Sequence, residues 1–161
     1  MDVVASTIAT AAASLAAIVD VRTRRIPNWL TGSLVLGGLV FNGWRGGIVG
    51  VGLAVAGAAL GLAILLPFHA VRAIGAGDVK LLAGLGAVLG PQVLVSVAIY
   101  GAIAGGLISA VLLAREGRLL SVLHEILIEH RPPTRGGTTA PYGVAIASGM
   151  YLTLILPGVL R

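Results

Sequence analysis

No charged residue interrupts the run Val93-Leu-Val-Ser-Val-Ala-Ile-Tyr-Gly-Ala-Ile-Ala-Gly-Gly-Leu-Ile-Ser-Ala-Val-Leu-Leu-Ala114. A helix needs about 20 apolar residues to cross the hydrocarbon core of a bilayer, and this run is long enough. The whole chain has the same character, since 57% of its 161 residues are hydrophobic, 11% are charged and the mean hydropathy is +1.02. The sequence therefore predicts an all-α integral membrane protein without a separate soluble domain.

Five further apolar runs predict helices. They lie at residues 3–19, 29–41, 48–68, 79–89 and 142–160. The first run has no basic segment before it and is followed by arginines, so we interpret it as a retained helix and not as a cleaved signal peptide. We expect about six transmembrane helices in a single transmembrane domain, residues 1–161, with both termini on one face of the membrane.

Two of these runs, residues 29–41 and 79–89, are short for a transmembrane helix. At a rise of about 1.5 Å per residue they cover roughly 15 to 20 Å, less than the roughly 30 Å hydrocarbon core. We expect a locally thinned bilayer or a water-filled notch above their first residues. Glycine pairs at four-residue spacing predict close contacts between helices: Gly57/Gly61, Gly86/Gly90 and Gly101/Gly105.

The basic residues predict the orientation of the helices. Nine of the eleven Lys and Arg residues fall in one set of loops: Arg22, Arg24, Arg25, Arg72, Lys80, Arg115, Arg118, Arg131 and Arg135. By the positive-inside rule this face is cytoplasmic, which places both termini outside the cytoplasm and the chain in a bacterial-type inner (cytoplasmic) membrane. The net charge of +5 is therefore attributed to topology beside anionic lipid, and no nucleic-acid partner is expected.

The stretch at residues 115–130 differs from the other runs. Its apolar residues fall on one helical face and its charged residues largely on the other, which is typical of a cytoplasmic amphipathic helix lying in the membrane interface. A loop rich in Pro and Gly follows at residues 131–139. The segment is either a passive connector or a surface that guides a substrate.

Two acidic residues stand at the same end of separate apolar runs. Asp20 begins the segment Asp20-Val-Arg-Thr-Arg-Arg-Ile-Pro-Asn28, and Asp78 lies in Gly75-Ala-Gly-Asp-Val-Lys80. Each has a structural explanation, since Asp78 is suited to cap a helix N-terminus and Asp20 to pair with a nearby arginine. The topology nevertheless brings both to one membrane boundary, where ionisable groups are costly and are typical of functional sites.

Two carboxylates that lie close together share a proton, because they cannot both ionise comfortably. The ionised group then activates water while the protonated group polarises a carbonyl, as in aspartic proteases. The chain has no cysteine, which excludes disulfides, thiol nucleophiles and Cys-ligated zinc. Its three histidines lack metal-ligand spacing, so no metal and no cofactor are expected.

The sequence resembles the type IV prepilin peptidases, which are GxGD-type intramembrane aspartic proteases. Three segments carry the resemblance, in order along nearly the whole chain: Asp20-x-Arg-x-x-x-Ile-Pro-Asn28, Gly75-x-Gly-Asp-x-Lys80 and Ala140-Pro-Tyr-Gly-Val-Ala-Ile146. The short form associated with Flp/Tad pili is the most similar.

This resemblance implies that Asp20 and Asp78 are the catalytic pair. It further implies that residues around them support the active site: Arg22, Pro27, Asn28, Gly75, Gly77, Lys80, Pro141, Tyr142 and Gly143. The implied substrate is a prepilin or pseudopilin whose leader ends in Gly before an apolar helix, with cleavage at the cytoplasmic boundary. Long members carry an extra N-terminal domain with paired cysteines and methylate the product, so we expect no methyltransferase activity here.

Two other functions are also compatible with a small membrane protein that carries these motifs. A small proton-coupled transporter needs membrane carboxylates, but near the middle of the membrane and not at one face. A non-catalytic pilus-assembly scaffold needs no carboxylate pair. Co-expression with a candidate prepilin separates these functions, whereas the oligomeric state stays undetermined.

Overall fold

The protein is described by a computed structural model, which covers residues 2–71, 73–127 and 142–156. Within these residues the chain is helical and has no strand. The helices are α1 Val3–Thr23, α2 Asn28–Ala70, α3 Ala76–Leu89, α4 Pro91–Arg115, α5 Leu119–Leu127 and α6 Tyr142–Ile155. Among them α1, α2 and α4 are long and apolar enough to cross a membrane. The predicted all-α membrane fold is confirmed.

Helix α2 contains two of the predicted helices, because the chain reverses direction at Gly47. This glycine has φ 57° and ψ −140°, a conformation that side-chain-bearing residues rarely adopt. Beyond it, Gly50 lies directly against the carbonyl of Asn42, and Gly43 faces Val51. Residues eight apart in one straight helix would not meet, so residues 28–46 and 48–70 run antiparallel.

Of the two helices predicted to be short, the structure contradicts the first and confirms the second. The first half of α2 extends beyond residue 41 to the reversal, about 28 Å of helix, so the prediction of a short helix there was wrong. Helix α3 has 14 residues and is short, as predicted. It ends at Gly90, which has φ 78°, and the Asn42 side-chain amide donates hydrogen bonds to the carbonyls of Ala87 and Val88, at 2.9 and 3.2 Å. These carbonyls would otherwise lack partners at a helix C-terminus.

Helix α3 lies at the centre of the bundle, and every residue from Asp78 to Val88 except Lys80 is buried. It packs on both halves of α2 through glycines that let the backbones touch: Gly38 of the first half lies against Ala87, and Gly57 and Gly61 of the second half lie against Gly86 and Ala83. On the other side of the bundle, Gly101 and Gly105 of α4 pack against Ala145 of α6. The predicted close contacts are confirmed for Gly57, Gly61, Gly86, Gly101 and Gly105, whereas Gly90 is the C-cap of α3 and a Cβ there would meet no other atom.

The two ends of the bundle carry different groups. At one end Asp2 caps α1 through the backbone N–H groups of Val4 and Ala5, and pairs with Arg45 beside the reversal in α2. Asp20 and the loop before α3 lie at the other end. Helix α5 agrees with the predicted amphipathic helix where the two overlap, whereas the loop at residues 131–139 lies outside the described residues.

Candidate active site

Helix α1 places Asp20 in the interior of the bundle. A stripe of small residues, Ala5, Ala9, Ala13 and Ala16, recurs every three or four positions and is buried. This spacing follows one face of a helix, and Asp20 is the next position on that face. Only 7% of the Asp20 surface is exposed. Helix α1 therefore buries a carboxylate on the same face as its four buried alanines.

The Asp20 carboxylate is held by the first turn of α6. The backbone N–H of Gly143 donates a hydrogen bond to Asp20 Oδ2 over 3.0 Å, in buried surroundings. A Cβ at position 143 would lie 3.0 Å from the Asp20 Cβ and 3.1 Å from Oδ2, so only glycine fits without a shift. A helix N-terminus favours a negative charge, because its first N–H groups have no partner within the helix.

Asp78 is the third residue of α3 and lies outside the three helices that are long enough to cross a membrane. The N-cap of α3 is Gly75, so the interpretation of Asp78 as the N-cap was wrong. The Asp78 carboxylate accepts a hydrogen bond from the backbone N–H of Gly75, which is the half of a capping box that the third helical residue supplies. Its Oδ1 is buried and has no hydrogen-bond partner among the described residues.

The charge state of Asp78 depends on its neighbours. Burial, and next the Asp20 carboxylate, raise the pKa of Asp78 to about 6, against the opposing effect of the Gly75 hydrogen bond. Asp20 is therefore near enough to disfavour ionisation of Asp78. A protonated Asp78 would turn the unpartnered Oδ1 into a group able to donate a hydrogen bond.

The start of α6 contacts the Asp20 carboxylate and lies within electrostatic range of Asp78. Gly143 binds Asp20, and the half-buried Tyr142 lies in the electrostatic field of Asp78. Residues from three separated segments of the chain thus surround one point at one end of the bundle. An ionised and a protonated carboxylate in this position can orient a water molecule between them and polarise a carbonyl placed beside them.

The loops before α2 and α3 also pack together. A Cβ at Gly77 would lie 3.0 Å from the Ile26 Cβ, so this glycine lets the two loops approach. Lys80 Nζ donates a hydrogen bond to Asn28 Oδ1 over 2.9 Å at the exposed edge of the same contact. Pro27 is the N-cap residue of α2 and sets the entry to that helix. These contacts align the first two sequence motifs.

The structure gives no such contact for one predicted supporting residue and does not describe another. Arg22 is exposed on the last turn of α1, and Pro141 lies outside the described residues. The described parts of the chain contain no group of three or more His, Cys, Asp or Glu side chains placed to hold a metal ion.

The sequence interpretation missed two features of the site. It did not assign the Gly143 N–H as the partner of Asp20, and backbone donors leave no signal in a sequence. It also missed Ile26, which is buried against Gly77. The alanine stripe of α1 was visible in the sequence, and its spacing would have placed Asp20 on the buried face.

Comparison with known proteins gives a consistent result. A sequence model of the type IV leader peptidase family matches residues 7–110, which include both aspartates but not α6. A prepilin leader peptidase/N-methyltransferase of Pectobacterium carotovorum subsp. carotovorum is 40% identical over 95 residues, 55% of this chain and 34% of the relative.

A protein of the same description from Dickeya chrysanthemi is 40% identical over 96 residues, again 55% of this chain and 34% of the relative. The matched segment thus spans about a third of the length of these curated relatives. No solved structure matches the chain significantly.

Proposed function

The chain belongs to the type IV leader peptidase family, and from this we propose that it is a membrane aspartic endopeptidase that removes leader peptides from prepilins. The observation that carries the proposal is the buried pair of carboxylates, Asp20 and Asp78, at one end of the helix bundle. No other set of groups found in the sequence suits hydrolysis of a peptide bond.

In the proposed reaction Asp78 holds the shared proton and Asp20 is ionised. The raised pKa of Asp78 and the Gly143 N–H on Asp20 both support this assignment. Asp20 takes a proton from water as the water oxygen bonds to the scissile carbonyl carbon, while Asp78 donates a hydrogen bond to the carbonyl oxygen. The tetrahedral intermediate then collapses, the C–N bond breaks, and the leaving nitrogen receives a proton from the carboxylate that gained it.

The remaining predicted residues have positioning roles in this proposal. Gly75 and Gly143 contact the two carboxylates, Tyr142 lies in the electrostatic field of Asp78, and Gly77 allows the loops to pack. Lys80 and Asn28 link the two loops from outside. Pro27 sets the start of α2, and Arg22 and Pro141 keep the supporting role that the resemblance implies.

The proposed substrate is a prepilin or pseudopilin of the Flp kind, with a leader that ends in Gly and an apolar helix after it. Cleavage would occur at the cytoplasmic face of the inner membrane, with both termini of the enzyme on the opposite face. The position of the Asp2–Arg45 pair, at the end of the bundle away from Asp20, supports a common side for the N-terminus and the α2 reversal.

A direct test uses the full chain in detergent with a synthetic peptide. The peptide carries a leader ending in Gly, followed by an apolar stretch of about 20 residues. We expect cleavage after the Gly, identified by the masses of both products, and none with Asp20→Asn/Asp78→Asn protein. An uncut peptide with correctly folded wild-type protein would refute the proposal.

A further inference from the structure

The next-to-last residue of α2 is a histidine that contacts the connection to α3. His69 Nδ1 lies 3.0 Å from the carbonyl oxygen of Ile74, in partly buried surroundings. A carbonyl oxygen can only accept a hydrogen bond, so this bond requires a proton on Nδ1, which the neutral ring and the charged ring can both supply. The backbone N–H of Ala73 also donates to the carbonyl of Phe68, over 2.8 Å. The end of α2 therefore holds the chain just before α3 begins.

The carbonyl that His69 contacts belongs to the same peptide group as the N–H that binds Asp78. This group joins Ile74 to Gly75, the N-cap of α3, and the Gly75 N–H donates a hydrogen bond to the Asp78 carboxylate. A peptide group is planar, and its C=O and N–H point in opposite directions. His69 and Asp78 thus bind opposite edges of one plane, and a rotation of that plane would break both hydrogen bonds. A hydrogen bond to the carbonyl also polarises the group and strengthens its N–H as a donor.

The orientation of this peptide group decides which oxygen of Asp78 remains available. Asp78 Oδ2 faces Gly75, since a Cβ on that glycine would lie 3.1 Å from it. Oδ1 is buried and has no hydrogen-bond partner in the described part of the chain. With Oδ2 held by Gly75, Oδ1 is left to carry the proton that the proposed reaction requires. A peptide group turned away from Asp78 would let its carboxyl group rotate.

We propose that His69 is a positioning residue for the cleavage reaction, and that it orients the Ile74–Gly75 peptide group so that Asp78 is held by one oxygen and acts through the other. The inference rests on the proposed function. The His69 ring stays outside the reaction itself, because the peptide group separates it from the carboxylate. Loss of its hydrogen bond should therefore affect the chemical step more than substrate binding.

The test compares His69→Asn, His69→Gln and His69→Leu in the full chain. The amide nitrogen of Asn is attached to Cγ, as Nδ1 is in His, so Asn can donate to the same carbonyl, whereas Gln places its amide one bond further out and Leu has no donor. We expect His69→Asn to keep kcat within about threefold of wild type, and the other two variants to lower kcat about tenfold with KM nearly unchanged. His124→Leu, an exposed change on α5, should leave both constants unchanged.

The pH profile separates positioning from a general loss of structure. A hydrogen bond to the ionised form lowers the pKa of a carboxyl group, so a weakened Gly75 bond raises the pKa of Asp78. The falling limb of kcat/KM should therefore move to higher pH by about half a unit in His69→Gln and His69→Leu, and stay in place in His69→Asn. Asp20 and Tyr142, the other titratable groups that interact with Asp78, are the same in all variants. Because His69→Asn also lacks the imidazole ring, an unmoved limb in this variant excludes the charge of that ring as the cause.

Gel filtration in detergent shows which variants keep the fold, and the comparison of His69→Asn with His69→Gln stands without His69→Leu. Equal rates and equal pH limbs in these two variants overturn the role of His69, whether both resemble the wild type or both are impaired. Failure of the wild-type protein to cleave any prepilin peptide overturns the proposed function instead.

Discussion

The backbone N–H of Gly143 donates a hydrogen bond to Asp20 Oδ2 over 3.0 Å and so joins the first turn of α6 to the last turns of α1. The two residues are separated by most of the chain. Asp78 also has a hydrogen bond to a backbone group, that of Gly75, but its Oδ1 is buried and has no partner among the described residues. The two carboxylates thus have different surroundings.

Asp20→Asn and Asp78→Asn should each abolish cleavage, lowering kcat/KM by about three orders of magnitude or more. Neither amide can replace a carboxylate that exchanges a proton. Asp2→Asn is the matched control, since Asp2 pairs with Arg45 at the other end of the bundle, and it should retain nearly full activity. Cleavage within a few-fold of wild type by either site variant would contradict the assignment of the pair.

Gly143→Ala should lower kcat/KM about ten- to a hundredfold, because the new Cβ displaces the Asp20 carboxylate that it would meet at 3.0 to 3.3 Å. The N–H donor is kept, so the effect is steric. Gly106→Ala is the control, since a Cβ there enters open space. Activity of Gly143→Ala within twofold of the Gly106→Ala variant would show that the contact does not position Asp20.

Activity should fall as the pH rises above about 6. Burial and Asp20 raise the pKa of Asp78 to about 6, so the protonated form persists to that pH and then declines about tenfold per unit. A profile of kcat/KM against pH measures this limb, whose apparent pKa belongs to the coupled pair. A flat profile between pH 5 and 8 would contradict a role for protonated Asp78.

The Lys80–Asn28 hydrogen bond should contribute little, because it is exposed to solvent. Lys80→Met and Asn28→Ala should each lower kcat/KM less than about fivefold. The double variant should be no worse than either single variant, since both remove the same bond. Additive losses would instead indicate that each side chain acts separately.

Introduced cysteines should report the sidedness of the bundle without background, because the chain has no cysteine. Thr23, Ala76 and Gly46 are exposed, the first two at the end that carries the carboxylates and Gly46 beside the α2 reversal. An impermeant thiol reagent should label Thr23→Cys and Ala76→Cys only from the cytoplasmic face and Gly46→Cys only from the other. Labelling of the first two from opposite faces would exclude a shared site.

The six apolar runs predicted from the sequence all begin in helices of the structure, because the period and length of apolar residues reflect burial in lipid and protein directly. The end of the first half of α2 was misplaced, since the residues after Phe41 that extend it are less apolar. The Asn42 side chain donates hydrogen bonds to the last carbonyls of α3, and no pattern in the neighbouring sequence indicates such a tertiary contact.

The sequence by itself determined the membrane class and the order of the helices, and it proposed Asp20 and Asp78 as the candidate pair, because these depend on composition, spacing and motif residues. The tertiary structure alone decided that Gly143 holds Asp20 and that Asp78 Oδ1 has no partner among the described residues. The reason is physical: a backbone donor is the same in every residue but proline, and its partner depends on how distant helices pack.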